Sequence, residues 1–265
     1  MLRMFIAFST CCALLLSSAT VYAASTTPIH WGFVRSKNEV APEAGKHADA
    51  LLEKYNAFYK DADATEKTVY LTFDNGYENG YTAKILDVLK KTETPGAFFI
   101  TGHYLKDQPE LVNRMVDEGH IVGNHSWSHP DMTTVSREKF AQELSKVSDG
   151  FKELTGQDGM TYLRPPRGIF SERSLEWSQE LGYVNVFWSL AFVDWKIDQQ
   201  RGGDYAYNEI MKQAHPGAVF LLHTVSKDNA DALERAINDL KARGYQFASL
   251  DDYMLDHTMI DPLAN

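Results

Sequence analysis

Cysteine is nearly absent from this chain of 265 residues: the only 2, Cys11 and Cys12, fall in an apolar N-terminal stretch. With that stretch removed, disulfides, thiolate catalysis and cysteine-based zinc sites are excluded together. Basic clusters are missing too. Lys and Arg total 26 against 36 Asp and Glu, a formal net charge of -10, and Arg3 is the only charged residue among the first 24. An acidic body without concentrated positive charge argues against nucleic acid or an anionic lipid surface as partner. No segment is rich in Pro, Gly or Ser, and no internal repeat is visible, so a linker or low-complexity region is not expected. Long hydrophobic runs are lacking as well. The apolar run over 4–16 falls short of the roughly 20 residues that cross a bilayer. It follows Arg3 and ends in small residues and Val21-Tyr22-Ala23-Ala24, the layout of a secretory leader over 1–24. A retained anchor, or lipid on Cys11, fits less well. The expectation is secretion across the cytoplasmic membrane, with no stable membrane insertion after cleavage.

What is present reads as alternating strands and helices. Leu51, Leu52, Tyr55, Phe58 and Tyr59 recur at helical spacing in an N-terminal extension over 25–65. Beyond it a body over 66–256 shows short apolar runs at 68–73, 96–100, 120–123, 160–163, 183–188, 217–222 and 245–248. Between them lie amphipathic stretches at 79–91, 109–118, 136–154, 171–181, 204–214 and 229–243, with a tail over 257–265. In the third stretch Phe140, Leu144, Val147, Phe151 and Leu154 form an apolar stripe suited to packing on a sheet. The alternation predicts an α/β fold with parallel strands and right-handed crossovers. Seven units favour a distorted or incomplete (β/α) barrel of about seven parallel strands over a doubly wound open sheet.

In either architecture sites form at the carboxyl ends of the strands, and the polar residues collect there. Asp74-Asn75 follows the first run, His125 the third, Arg164 the fourth, Asp194 trails the fifth and His223 follows the sixth. His125 and His129, four apart, would share one side of a helical turn within reach of one metal ion. Such a pair also arises by chance in many chains; its place between Gly123 and Pro130 at a strand end favours function. Two histidines need at least one oxygen ligand besides. Asp74 suits a ligand or a base, although Asp-Asn-Gly also makes ordinary turns. Arg164-Pro165-Pro166-Arg167-Gly168 brings two guanidinium groups to the same rim, where an Arg forked onto a carboxylate keeps it ionised. A histidine ending an apolar strand, with Asp194 to hold one ring nitrogen, suits a general acid.

Taken in order, Thr72-Phe73-Asp74-x-Gly76, His125-Ser126-x-x-His129, Arg164-x-Pro166-x-Gly168, Asp194-Trp195 and Leu221-x-His223 resemble the polysaccharide deacetylases of carbohydrate esterase family 4. Through Asn75, Tyr77, Glu78, Asn79 and Gly80, through Arg164 to Gly168, and through Trp31-Gly32-Phe33, the chain is most similar to the delta-lactam-biosynthetic N-acetylmuramic acid deacetylases of spore-cortex peptidoglycan. The resemblance implies Asp74 as base, His223 as acid, Arg164 orienting the base, and Asp194 tuning the acid. It also implies a divalent metal ion, zinc first among candidates, on His125 and His129. Asn75 is counted with the two histidines as a metal ligand, standing where most members have a further aspartate ligand, and Ala191 replaces an aspartate that usually accompanies Asp194. Arg167 is an added cation counted with the catalytic group, and the sequence leaves open which arginine meets Asp74. Tyr77, Pro166, Trp188 and Trp195 are candidates for gripping sugar. The implied substrate is a peptidoglycan glycan strand at the cell wall or spore cortex, acted on by a monomer. A chitin-oligomer or other polysaccharide deacetylase, or a silent glycan-binding module, is the alternative.

Overall fold

The computed structural model describes residues 23–260, and the side chains up to residue 257. The leader expected over 1–24 lies outside the described residues except for its last two positions, as do 261–265 of the tail. In chain order the elements are β1 (Ile29–His30), α1 (Lys46–Lys54), β2 (Thr68–Asn75), α2 (Thr82–Lys91), β3 (Ala97–Ile100), α3 (Gly102–Asp107), α4 (Pro109–Asp117), β4 (Ile121–Asn124) and α5 (Arg137–Thr155). They continue with β5 (Tyr162–Leu163), a 3-10 turn at Pro166–Gly168, β6 (Ile169–Phe170), α6 (Glu172–Glu180), β7 (Val184–Asn185), α7 (Gly203–Gln213), β8 (Ala218–His223), α8 (Lys227–Ala242), β9 (Gln246–Ala248) and α9 (Leu250–Ile260). Among the described residues no helix is long and apolar enough to cross a membrane.

Seven strands form one sheet in the order β7-β5-β4-β3-β2-β8, with β9 also on β2, and each pairing is parallel. The sheet then curls. Past β7 the chain crosses to the far edge, where Leu190 bridges Phe220 of β8 in parallel, while Phe58 bridges Val186 and Lys60 bridges Ala218. Residues 58–60 thus stand in the wall where another strand of a full barrel would be. This is the distorted (β/α) barrel of about seven parallel strands that the alternation predicts.

Strand periodicity sorts side chains between the two faces. Along β2, Val69, Leu71 and Phe73 pack outward with Ile85, Leu86 and Leu89 of α2, while Tyr70 packs inward with Phe99, Tyr162 and Val219. Along β8, Ala218, Phe220 and Leu222 join the outer cluster. Helix α5 starts at Ser136, whose side chain accepts the Lys139 N–H, and stops at Gly156 in left-handed conformation (φ 72°). Phe140, Leu144, Val147 and Phe151 on its stripe are buried, each stabilising the fold by about 1.5–3 kcal/mol. The two-residue strands β1 and β6 pair antiparallel, Ile29 with Phe170 and His30 with Ile169, tying the N-terminal segment to the chain just after the 3-10 turn.

Candidate active site

Asp74 of β2 and His223 of β8 are paired in register on adjacent parallel strands, so both belong to the inward series and both line a cavity of about 930 Å³ at the strands' carboxyl ends. Arg164, fully buried behind Asp74, donates from Nη1 to Asp74 Oδ1 at 2.9 Å and from Nε to the Val186 carbonyl at 3.0 Å. Burial alone would raise the Asp74 pKa. The Arg164 charge, helped by His125 and His223, outweighs it and holds the carboxyl below its ordinary range. That setting favours the ionised form of Asp74.

His223 has the opposite setting. Burial would push its pKa down, but Asp194, 1% exposed, accepts from Nδ1 at 2.7 Å and raises it instead. Asp194 is itself held: Oδ2 accepts the His223 backbone N–H at 2.8 Å and Asn229 Nδ2 at 2.6 Å. Asn229 stands in the first turn of α8, a place that the sequence motifs did not single out. Nε2 of His223 is left for the cavity.

His125 and His129 meet with ring centroids 4.9 Å apart, and both line the cavity. The reason differs from the one spacing suggests. The stretch after β4 is a loop, with Ser126 (φ 64°) and His129 (φ 56°) in the left-handed region that L side chains avoid. Side-chain bonds hold this geometry. Asn124 Oδ1 accepts the Ser126 N–H at 2.9 Å, Ser126 Oγ accepts the His129 N–H at 3.1 Å, and the buried Glu143 of α5 accepts Ser128 N–H and Oγ at 2.7 and 2.9 Å. Gly102 lets the loop close, since a Cβ there would lie 2.3 Å from the Trp127 ring.

A deprotonated carboxylate with a buried arginine, facing a histidine with a buried aspartate beside a pair of imidazoles, is a hydrolytic arrangement. The comparisons agree on its family. The family profile for polysaccharide deacetylase matches residues 61–186. The chain is 56% identical over 254 residues to the peptidoglycan-N-acetylmuramic acid deacetylase PdaA of Bacillus subtilis, covering 95% of this chain and 96% of that one. The solved structure of that family 4 carbohydrate esterase superposes with a TM-score of 0.86 at 57% identity, covering 88% of this chain and 99% of the other. A family 4 carbohydrate esterase from Bacillus anthracis gives 0.74 at 52% identity, covering 87% and 98%. This chain belongs to the polysaccharide deacetylase family. It is a hydrolase of the carbohydrate esterase 4 type.

Deacetylases of this family are generally metal-dependent. In this deacetylase the donor chemistry at the histidine pair fits a borderline divalent ion. Nδ1 of His125 donates to the Arg164 carbonyl at 2.8 Å, which fixes the tautomer with a lone pair on Nε2. Burial lowers the pKa of His125, and burial first, with the neighbouring His125 second, pushes that of His129 down to about 4, so both rings lean toward the neutral form that binds a metal. Among the described residues no third His, Cys, Asp or Glu completes a cluster around an ion.

Asn75, expected as a ligand, does not line the cavity. Strand alternation turns it to the face opposite Asp74, where Nδ2 donates to Thr224 Oγ1 at 2.8 Å while Oδ1 is buried without a partner. Arg167 makes no ion pair with Asp74. Arg164 takes that place, and Arg167 points past it into the cavity, with Asp131 at 4.0 Å. Of the sugar-gripping candidates, Tyr77, Trp188 and Trp195 line the cavity, the last with its ring centroid 5.5 Å from that of His223. Pro166 is buried in the 3-10 turn and is not among the cavity-lining residues. Thr101, His103, Trp127, Ser128 and Val225 also line the cavity and carried no motif signal.

Proposed function

We propose that this protein removes the acetyl group from the amide nitrogen of N-acetylmuramic acid in peptidoglycan glycan strands, as a secreted enzyme. The in-register pair of Asp74 and His223, each backed by an opposite charge, carries the chemical part of this reading. The identity to PdaA over nearly both whole chains supports the substrate.

Amide hydrolysis needs a proton taken from the attacking water and a proton given to the departing nitrogen, because an amine anion is too poor a leaving group. Asp74 accepts the first at its carboxylate, which Arg164 keeps ionised and aimed. His223 gives the second from Nε2, its Nδ1 proton held on Asp194. The bond between carbonyl carbon and nitrogen breaks, leaving acetate and the free sugar amine. A divalent ion held by His125 and His129, zinc in the first instance, would supply Lewis acidity that polarises the acetyl carbonyl. Trp195 and Trp188, which line the cavity, supply aromatic surface for a sugar ring.

The free amine stands next to the lactyl ether of the same ring, so its carboxyl can close a six-membered lactam. Such closure requires that the stem peptide be already gone, which places the enzyme after an amidase that cuts the peptide from the lactyl group, in wall material such as spore cortex. Mass spectrometry of glycan fragments incubated with the purified protein tests the reading. Loss of acetyl from muramic acid residues is expected; loss from glucosamine residues alone would point to chitin-type or glucosamine substrates instead.

A further inference from the structure

The cavity wall holds a cation that the hydrolytic chemistry does not use. Among the described residues lining the cavity, Arg167 is the one with a permanent positive charge, and its side chain is 53% exposed. Its nearest acidic group, Asp131, holds the Thr133 N–H and hydroxyl on Oδ1 at 3.0 and 2.7 Å and faces Arg167 with Oδ2 at 4.0 Å, the outer limit of an ion pair. The backbone holds Arg167 in place at some conformational expense. It is a non-glycine at φ 59°, between Pro166 and Gly168, whose own φ is 65°. Gly168 cannot be larger, since a Cβ would meet Trp188 at 2.7 Å and Trp31 at 2.8 Å, and its carbonyl accepts the Trp31 N–H at 2.9 Å. A strained turn clamped by Trp31 therefore presents one guanidinium, only loosely paired with Asp131, to the cavity, on the side of His129, whose pKa its charge helps to lower.

We infer that Arg167 binds the free lactyl carboxylate of the muramic acid being deacetylated, and that this contact selects glycan whose stem peptide has been removed. The inference rests on the muramic acid reading above. In muramic acid the lactyl ether is on the carbon next to the one bearing the acetamide. An acetamide between Asp74 and His223 thus brings the carboxylate to the cavity wall. When a peptide is attached that carboxylate is an uncharged amide, and the guanidinium has no anion to meet.

The test compares one glycan in two forms, with free lactyl carboxylates and with the same groups converted to methylamides, plus N-acetylglucosamine oligomers as a third substrate. The wild-type kcat/KM on the acid should exceed that on the methylamide by about 10- to 100-fold, the usual size of a hydrogen-bonded charge contact. In Arg167→Gln the two rates should converge, mainly through KM, and Arg167→Lys should restore part of the difference. Arg167→Asn, suited to the left-handed backbone, provides a second neutral variant should the Gln protein fold poorly. A persistent preference for the acid in both neutral variants overturns the inference. So does a wild type that hydrolyses acid and methylamide equally, although that result leaves the muramic acid reading standing. A wild type active on glucosamine oligomers but on neither lactyl glycan overturns both.

Discussion

Arg164 reaches Asp74 across 90 positions of sequence, Nη1 to Oδ1 at 2.9 Å, and the pair is sealed from solvent on the arginine side. A fully buried guanidinium is tolerable only because its donors are used: Nη1 on the carboxylate, Nε on the Val186 carbonyl and Nη2 on the Phe187 carbonyl at 3.3 Å. The pair therefore belongs to the fold as much as to the chemistry.

Removing one side of it should show this double role. Arg164→Ala leaves Asp74 buried without its counter-charge, and a loss of about 3–5 kcal/mol in unfolding free energy is expected. Denaturant titration with the wild type alongside measures it. A loss under about 1 kcal/mol would mean the pair adds nothing to stability.

Asp74→Asn and His223→Ala should each lower kcat by about 10²- to 10⁴-fold, the range for a lost proton-transfer group, with the circular dichroism spectrum unchanged. The amide introduced by Asp74→Asn still offers Arg164 an oxygen, so the native fold is expected to form at reduced stability. Near-normal turnover in either variant would remove that residue from the reaction.

The pH profile should be broad. Activity needs Asp74 ionised, and its pKa lies below the ordinary 3.8; it needs His223 protonated, and its pKa lies above the ordinary 6.5. The acid limb of kcat/KM should fall below the first value and the alkaline limb above the second. Asp194→Asn removes the charge that offsets burial of His223, so the alkaline limb should move to lower pH. If the limb stays where it was, Asp194 does not set the acid.

Replacing either His125 or His129 by Ala should reduce bound zinc, read by elemental analysis after dialysis against a fixed zinc concentration, as well as rate. With only two protein imidazoles in place, chelator should strip the wild type readily. Unchanged stoichiometry in both variants would assign the histidines a purely structural role.

Much of this arrangement was legible in the sequence because strand ends are. Asp74, Asn75, Arg164, Asp194 and His223 each follow an apolar run, and a parallel barrel gathers such positions on one rim. Side-chain direction was legible only in part. Alternation along β2 separates Asp74 from Asn75, whereas the motif places the two side by side. The buried Glu143 had a trace as well: it falls three residues after Phe140 and four before Val147, a charged residue in the buried phase of an apolar stripe. Asn229 had none, since a helix's first turn is full of polar residues for capping reasons alone. The short elements β1, α3 and β6 were missed because two to six residues carry too little periodicity. The prediction of a strand over 183–188 ran past β7, for there the chain leaves one edge of the sheet to join the other.

The bridges from Phe58 to Val186 and from Lys60 to Ala218 bear on how small this enzyme can be made. A chain trimmed to begin at residue 61, where the family match starts, would unpair the edge of β7 that Phe58 covers at Asn185 and Phe187, while Leu190 would still cover β8 at Phe220. Unpaired N–H and C=O rows recruit other chains, so such a fragment should self-associate in solution rather than work as a minimal catalyst. Ending it at residue 186 would also discard β8, and the acid with it.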